Sequence, residues 1–193
     1  MEITTEVVKQ LRDRTGISVM QCRKALEEAG GDIEQAVVIL AKKSAGAAEK
    51  KADRELAAGA IGTYVHDGAI GAMVLLSSET DFVSRNPEFG ALAKEIAMHV
   101  AAANPAYLSM NDVPEDKKTA ALSVFEKEVE GKPEDMKAKI LEGKLASYFK
   151  DQVLLEQPFI KDDSKTIKDL VAEATQKFGE RVEVSNFSRM SAR

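Results

Sequence analysis

The chain has 193 residues, one domain or two small ones at about 150 residues per domain. Lysine and arginine total 27 against 32 aspartates and glutamates, a net charge of −5, which lacks the basic footprint of a protein built to grip phosphates. A single cysteine excludes a disulfide framework and any multi-cysteine metal site, and with only two histidines most nucleophilic and metal sites would lack parts.

Residues 1–41 read as three short amphipathic helices. The first starts near Thr4, buries Val7, Val8 and Leu11, and stops at Gly16. The second opens on Ser18-Val19-Met20-Gln21, a capping box, with Ile17 and Cys22 spaced as a hydrophobic staple. Its stripe is Cys22, Ala25, Leu26 and Ala29, and Gly30-Gly31 ends it. Asp32 with Gln35 repeats the capping logic for a third helix, whose stripe is Ile33, Ala36, Val37 and Leu40. Together they make a minimal bundle near the lower size limit for independent folding. From 42 to 58 the stripe blurs into alanine and charge (Lys42, Lys43, Lys50, Lys51, Arg54), which predicts a solvent-exposed helical spacer with Gly46 as a candidate break.

The period then changes. Ala60–His66 and Ala69–Ser77 read as strands joined by Asp67-Gly68, the residue pair of a type I′ hairpin turn. The run Ala72–Leu76 is nearly continuous, so the second strand is expected to be central and covered by helices. Asn86 and Pro87 open a helix that buries Phe89, Leu92, Ala93, Ile96, Ala97 and Val100 and ends at Asn104-Pro105. Helices are expected at Pro114–Glu130, with Leu122, Phe125 and Val129 inward, and at Pro133–Lys150. Gln152–Phe159 reads as extended. A helix from Ser164 carries Ile167, Leu170, Val171, Ala174 and Phe178 to Gly179, and Arg181–Phe187 is a last strand. The fold class is α+β: a helical unit (1–41), a helical linker (42–58), and a core (59–193) whose small antiparallel sheet is covered by helices. A sheet of about three strands leaves an edge or face open, and such surfaces are usually paired or covered.

Gly59, Gly62, Gly68 and Gly71 lie inside the hairpin rather than between a strand and a helix N-terminus, so they shape a turn rather than a phosphate loop. Cys22 falls on an apolar stripe and reads as a buried hydrophobe. His66 belongs at an exposed hairpin tip, His99 at the boundary of its helix stripe. Ser77–Asn86 has two readings. It is a one-turn connector with Phe82 tucked into the chain's own core, or a display loop with Phe82 as an anchor for another protein and Asp81 as its polar guide.

Thr80-Asp81-Phe82-Val83 followed by Arg85-Asn86 resembles the signature of the bacterial elongation factor Ts family. Leu11–Gly16, Met20, Cys22, Lys24-Ala25-Leu26 and Gly31-Asp32 are similar to that family's first domain, a ubiquitin-associated-like three-helix module. Tyr64, His66, Gly71, Ile96–Ala102 and Gln157-Pro158-Phe159 also match, so the resemblance spans nearly the whole chain. It implies non-enzymatic nucleotide exchange on the GTPase elongation factor Tu. Asp81 and Phe82 would wedge in to dislodge its Mg²⁺ while Thr80 and Val83 hold the loop, and His66 would press near the phosphate side. The chain resembles the short form with one core module, which implies a homodimer and a two-plus-two complex. Arg12, Val19 and Met20 are the expected docking surface of the first domain. No cofactor or metal of its own is expected.

Two other readings compete: an adaptor of the ubiquitin-associated kind without exchange activity, and an enzyme using carboxylates on the hairpin face. No apolar run approaches the roughly 18–20 residues of a membrane span, and Met-Glu-Ile-Thr-Thr-Glu lacks a basic leader region. A cytoplasmic protein that binds neither membrane nor nucleic acid is therefore expected.

Overall fold

Side-chain caps set the first three helices. Thr4, Ser18 and Asp32 accept hydrogen bonds from the amides of Val7, Gln21 and Gln35, starting α1 (Thr5–Thr15), α2 (Val19–Glu28) and α3 (Ile33–Glu49). The structure, a computed structural model, describes residues 3–126, 129 and 133–192. The three stripes meet in one core of Val8, Leu11, Ile17, Cys22, Ala25, Leu26, Ala29, Ala36 and Leu40.

The expected exposed spacer takes a different form. Helix α3 runs unbroken through Gly46 to Glu49, and its second half packs on α8 (Ile167–Phe178) instead of facing solvent. Ser44 is 1% exposed and hydrogen-bonds the Gln176 side chain of α8. The contact gave no sequence sign because the buried residue is a serine and its neighbours Gly46, Ala47 and Ala48, half-buried, are too small to carry an apolar signal. Beyond Glu49 the chain turns rather than continuing as helix to 58.

Strands β1 (Ala58–His66) and β2 (Ile70–Ser78) form the expected hairpin, with Asp67 at φ 49° and Gly68 at φ 66°, both in the left-handed region a type I′ turn requires. Strand β5 (Val182–Ser191) pairs with the other edge of β2, giving the order β1-β2-β5, all antiparallel. Helix α5 (Pro87–Ala103), capped by Asn86, lies across the sheet. A Cβ on Gly62 would fall 2.1 Å from the Ala93 carbonyl, so α5 and β1 touch backbone to backbone. β2 is central as expected, yet it is covered on one face only. Ala72, Val74 and Leu76 are buried, whereas Met73 and Leu75 alternate with them onto an open face shared with Ile61.

The remaining elements depart further from expectation. Helix α6 runs Glu115–Glu126, and of the predicted continuation to Glu130 the structure describes Val129 alone, in a bend rather than a helix. Val129 is buried, but Leu122 and Phe125 are only half-buried, and Phe149 of α7 (Glu134–Phe149) fills the small core between them. The segment expected to be extended forms a 3₁₀ turn at Leu154–Glu156 and then β3 (Pro158–Phe159), which pairs with β4 (Asp162–Thr166). The polar run Asp162-Asp163-Ser164-Lys165 has no apolar alternation, so this second hairpin gave no sequence signal. The following helix therefore starts at Ile167, behind a capping box of Thr166 with Asp169.

His99 is not a boundary residue. It is 1% exposed, and burial pushes its pKa below the ordinary histidine value. The Ile160 amide donates to Nδ1 at 3.4 Å, which leaves Nε2 to donate to Gln157 Oε1 at 2.9 Å. The neutral ring thus braces α5 against the β3–β4 hairpin.

Candidate functional site: the Asp81–Phe82 turn

Leaving β2, the chain makes one helical turn, α4 (Asp81–Ser84), before Asn86 caps α5. Val83 points into the main core at 5% exposure, and the residue before it, Phe82, stands 85% exposed. Among the described residues its ring belongs to no core. Asp81 beside it is also exposed and pairs with Arg85 at 2.9 Å. A displayed aromatic next to a carboxylate on a buried footing is suited to entering another protein's pocket.

The entry to the turn is tied down. Ser78 Oγ donates to the Thr80 carbonyl at 2.9 Å. The Glu79 carboxylate accepts from the Arg181 amide at 2.5 Å and from Arg54 Nη1 at 3.1 Å. The Arg181 amide first, and Arg54 with it, holds the Glu79 pKa below the usual carboxylate range. Thr80 donates twice to Glu180, from its amide at 3.0 Å and from Oγ1 at 2.6 Å. Sequence reasoning missed Arg54, Glu79, Glu180 and Arg181. Their only local signal is Gly179, which closes α8 at φ 74° and so puts Glu180 and Arg181 in a turn.

The other predicted residues divide between two ends of the molecule. His66 is exposed at the hairpin tip, where its Nδ1 lies 3.1 Å from Tyr64 Oη and its Nε2 3.5 Å from Asp67. The length of β2 (Ile70–Ser78) separates that tip from the Asp81–Phe82 turn, about 26 Å at roughly 3.3 Å per residue. Arg12, Val19 (48% exposed) and Met20 (67% exposed) flank the α1–α2 turn. Lys177 joins that turn to the Phe82 end: its Nζ lies 3.2 Å from where a Gly16 Cβ would sit and donates to Glu88, in the first turn of α5, at 2.9 Å. Lys177 thus links the α1–α2 turn to the start of α5, the helix that follows the Asp81–Phe82 turn, while His66 lies at the opposite end of the hairpin.

The open sheet face carries a shallow apolar depression of about 160 Å³ lined by Ile61, Met73, Leu75 and Phe187. Among the described residues no group of three or more His, Cys, Asp or Glu could hold a metal ion, and no helix is long and apolar enough to cross a membrane.

The sequence model of the family described as Elongation factor TS matches residues 3–192. Elongation factor Ts of Thermodesulfovibrio yellowstonii is 46% identical over 190 residues, covering 98% of this chain and 96% of that protein. Elongation factor Ts of Coprothermobacter proteolyticus is 46% identical over 192 residues, covering 98% of each. The chloroplastic polyprotein of EF-Ts from Oryza sativa subsp. japonica is 46% identical over 190 residues, 97% of this chain but 17% of the polyprotein.

Proposed function

Because the chain belongs to the elongation factor Ts family, the nucleotide exchange factors of the GTPase elongation factor Tu, we propose that it releases GDP by inserting its Asp81–Phe82 turn beside the partner's Mg²⁺ site. The observation that carries this mechanism is the 85% exposure of Phe82 on a turn whose next residue, Val83, is buried. Exchange requires coupling: the factor binds the nucleotide-free GTPase more tightly than the nucleotide-bound one, and linkage makes nucleotide weaken the factor equally. Dislodging Mg²⁺ achieves this, since the ion neutralises phosphate charge and holds GDP in place. Phe82 is the wedge, Asp81 acts on the magnesium side, and Thr80 and Val83 hold the turn. No bond in the nucleotide is made or broken, and the work is cytoplasmic. The adaptor and carboxylate-enzyme alternatives find no support in the family.

The N-terminal helices act in this reading as a ubiquitin-associated-like unit that docks through Arg12, Val19 and Met20. The His66 tip lies too far from Phe82 to reach the same phosphate site within one chain. A homodimer removes that difficulty, offering one chain's turn and the other chain's tip to a single GTPase in a two-plus-two complex. The exposed apolar face of Ile61, Met73 and Leu75 supports a self-complementary contact of this kind.

Release of fluorescent GDP from elongation factor Tu tests the mechanism. Phe82→Ala is expected to weaken binding by about 2–4 kcal/mol, roughly 30- to 900-fold, with the melting temperature of the free protein unchanged. Asp81→Ala slows release more than it weakens association. A Phe82→Ala protein that melts much lower yet exchanges normally when folded rejects the wedge. Light scattering at micromolar concentration is expected to give the mass of two chains, and a monomer exchanging at full rate would sink the dimer.

A further inference from the structure

Helix α4 has four residues, far too few to hold a helical shape unaided, so its partners elsewhere in the fold determine where Phe82 points. Thr80 stands at its N-cap with extended backbone (φ −128°, ψ 160°), where a threonine hydroxyl ordinarily accepts an amide of the first turn. Here it makes no such bond. The hydroxyl and the amide of Thr80 instead both donate to one carboxylate, that of Glu180, at 2.6 and 3.0 Å. Glu180 sits between the glycine that closes α8 and the first residue of β5, two elements seated in the main core. The residue as a whole is half-buried.

The surrounding contacts bind three distant segments at this point. Arg54 reaches Glu79, the Arg181 amide reaches Glu79, and Arg181 Nη1 donates to the Arg54 carbonyl at 2.5 Å. Lys51 donates to the Gly179 carbonyl. The stretch after α3, the stretch before α4 and the α8–β5 turn are thus knotted together, and Glu180 is the member that grips the turn itself.

We propose that Glu180 is a positioning residue for exchange, holding Thr80 so that Asp81 and Phe82 are presented in one orientation to the GTPase. This rests on the insertion reading given above. A two-point ionic grip on the residue before the wedge removes the rotation about Glu79 and Thr80 that would otherwise spread Phe82 over many directions, and pre-orientation of this kind speeds insertion without touching the partner.

Two readouts test it, the first independent of exchange. In the free full-length protein, backbone amide relaxation at Asp81 and Phe82 should report a rigid turn, with an order parameter of about 0.85, falling below about 0.6 in Glu180→Ala. At saturating factor, GDP release should slow about tenfold in Glu180→Ala, less in Glu180→Gln, which keeps one acceptor oxygen. Combining Glu180→Ala with Thr80→Val should slow release no more than Glu180→Ala alone, because valine removes only the hydroxyl half of the grip that Glu180→Ala removes whole. A Phe82 amide that stays rigid in Glu180→Ala overturns the proposal, as does additivity with Thr80→Val. Full-rate release from Glu180→Ala while Phe82→Ala is slow overturns the positioning role alone. Full-rate release from both overturns the insertion reading beneath it.

Discussion

The two exposed ends of the central strand pair are built on opposite plans. The His66 tip is supported by its own hairpin: Tyr64 and Asp67, its near neighbours in sequence, are its partners, and the backbone is shaped by Asp67 and Gly68 in the left-handed region. The Asp81–Phe82 turn is supported from far away, by Arg54, Glu180 and Arg181 and by Val83 in the main core. A locally built tip keeps its shape wherever the hairpin goes and can adjust to what it meets. A turn assembled from distant segments has its direction set by the whole fold, which is what a wedge needs.

Substitution at Gly62 is expected to break both ends at once. An added methyl there would drive into the Ala93 backbone and lift the hairpin from α5. Gly62→Ala should cost about 3 kcal/mol, lowering the melting temperature by roughly 6–12 °C, with slow exchange from the folded fraction as both ends shift. A normal melting curve would mean that α5 and β1 do not touch as described.

Smaller effects separate the tip from the interior. His99 is neutral in the fold with its pKa held down by burial, whereas the unfolded chain takes up a proton near pH 6.5. Its contribution to stability is complete above that value and is lost as pH falls toward the lower folded pKa. Glu79, also lowered, keeps its contribution until pH falls through the usual carboxylate value, so the His99 window opens first. Melting temperature should therefore fall between pH 7.5 and 5.5. The fall should persist in His66→Ala and vanish in His99→Gln. His66→Ala itself should leave melting unchanged and slow exchange about fivefold or less, the scale of an exposed rim contact. A larger loss would place the tip on the same footing as Phe82.

Much of this arrangement was legible in the chain. Thr4, Ser18, Asp32 and Asn86 start their helices as capping rules predict, and Asp67-Gly68 announces its hairpin. These signals are local, and local signals survive folding. What the sequence concealed is long-range. His99 looked peripheral because its partners Gln157 and Ile160 lie some 60 residues away, and the second half of α3 looked solvated because Ser44 finds Gln176 only in the folded state. The candidate site divides the same way. Asp81 and Phe82 could be picked out between a buried strand and a capped helix, but the contact that holds the preceding Thr80 comes from Glu180, 100 positions further along the chain.

The continuity of α3 has a geometric consequence. Leu40 belongs to the N-terminal core and Ser44, one turn later, to the contact with α8, so a single screw of 17 residues is threaded into both units. Their mutual rotation is keyed to helical phase. One residue added between those two positions would swing the bundle by about 100° around the helix axis and carry Gly16 away from Lys177, although no contact residue had been altered. Seven added residues, nearly two whole turns, would bring the phase back to within about 20° while lifting the bundle by roughly 10 Å. The docking surface proposed at Val19 and Met20 would be aimed by counting residues as much as by choosing them.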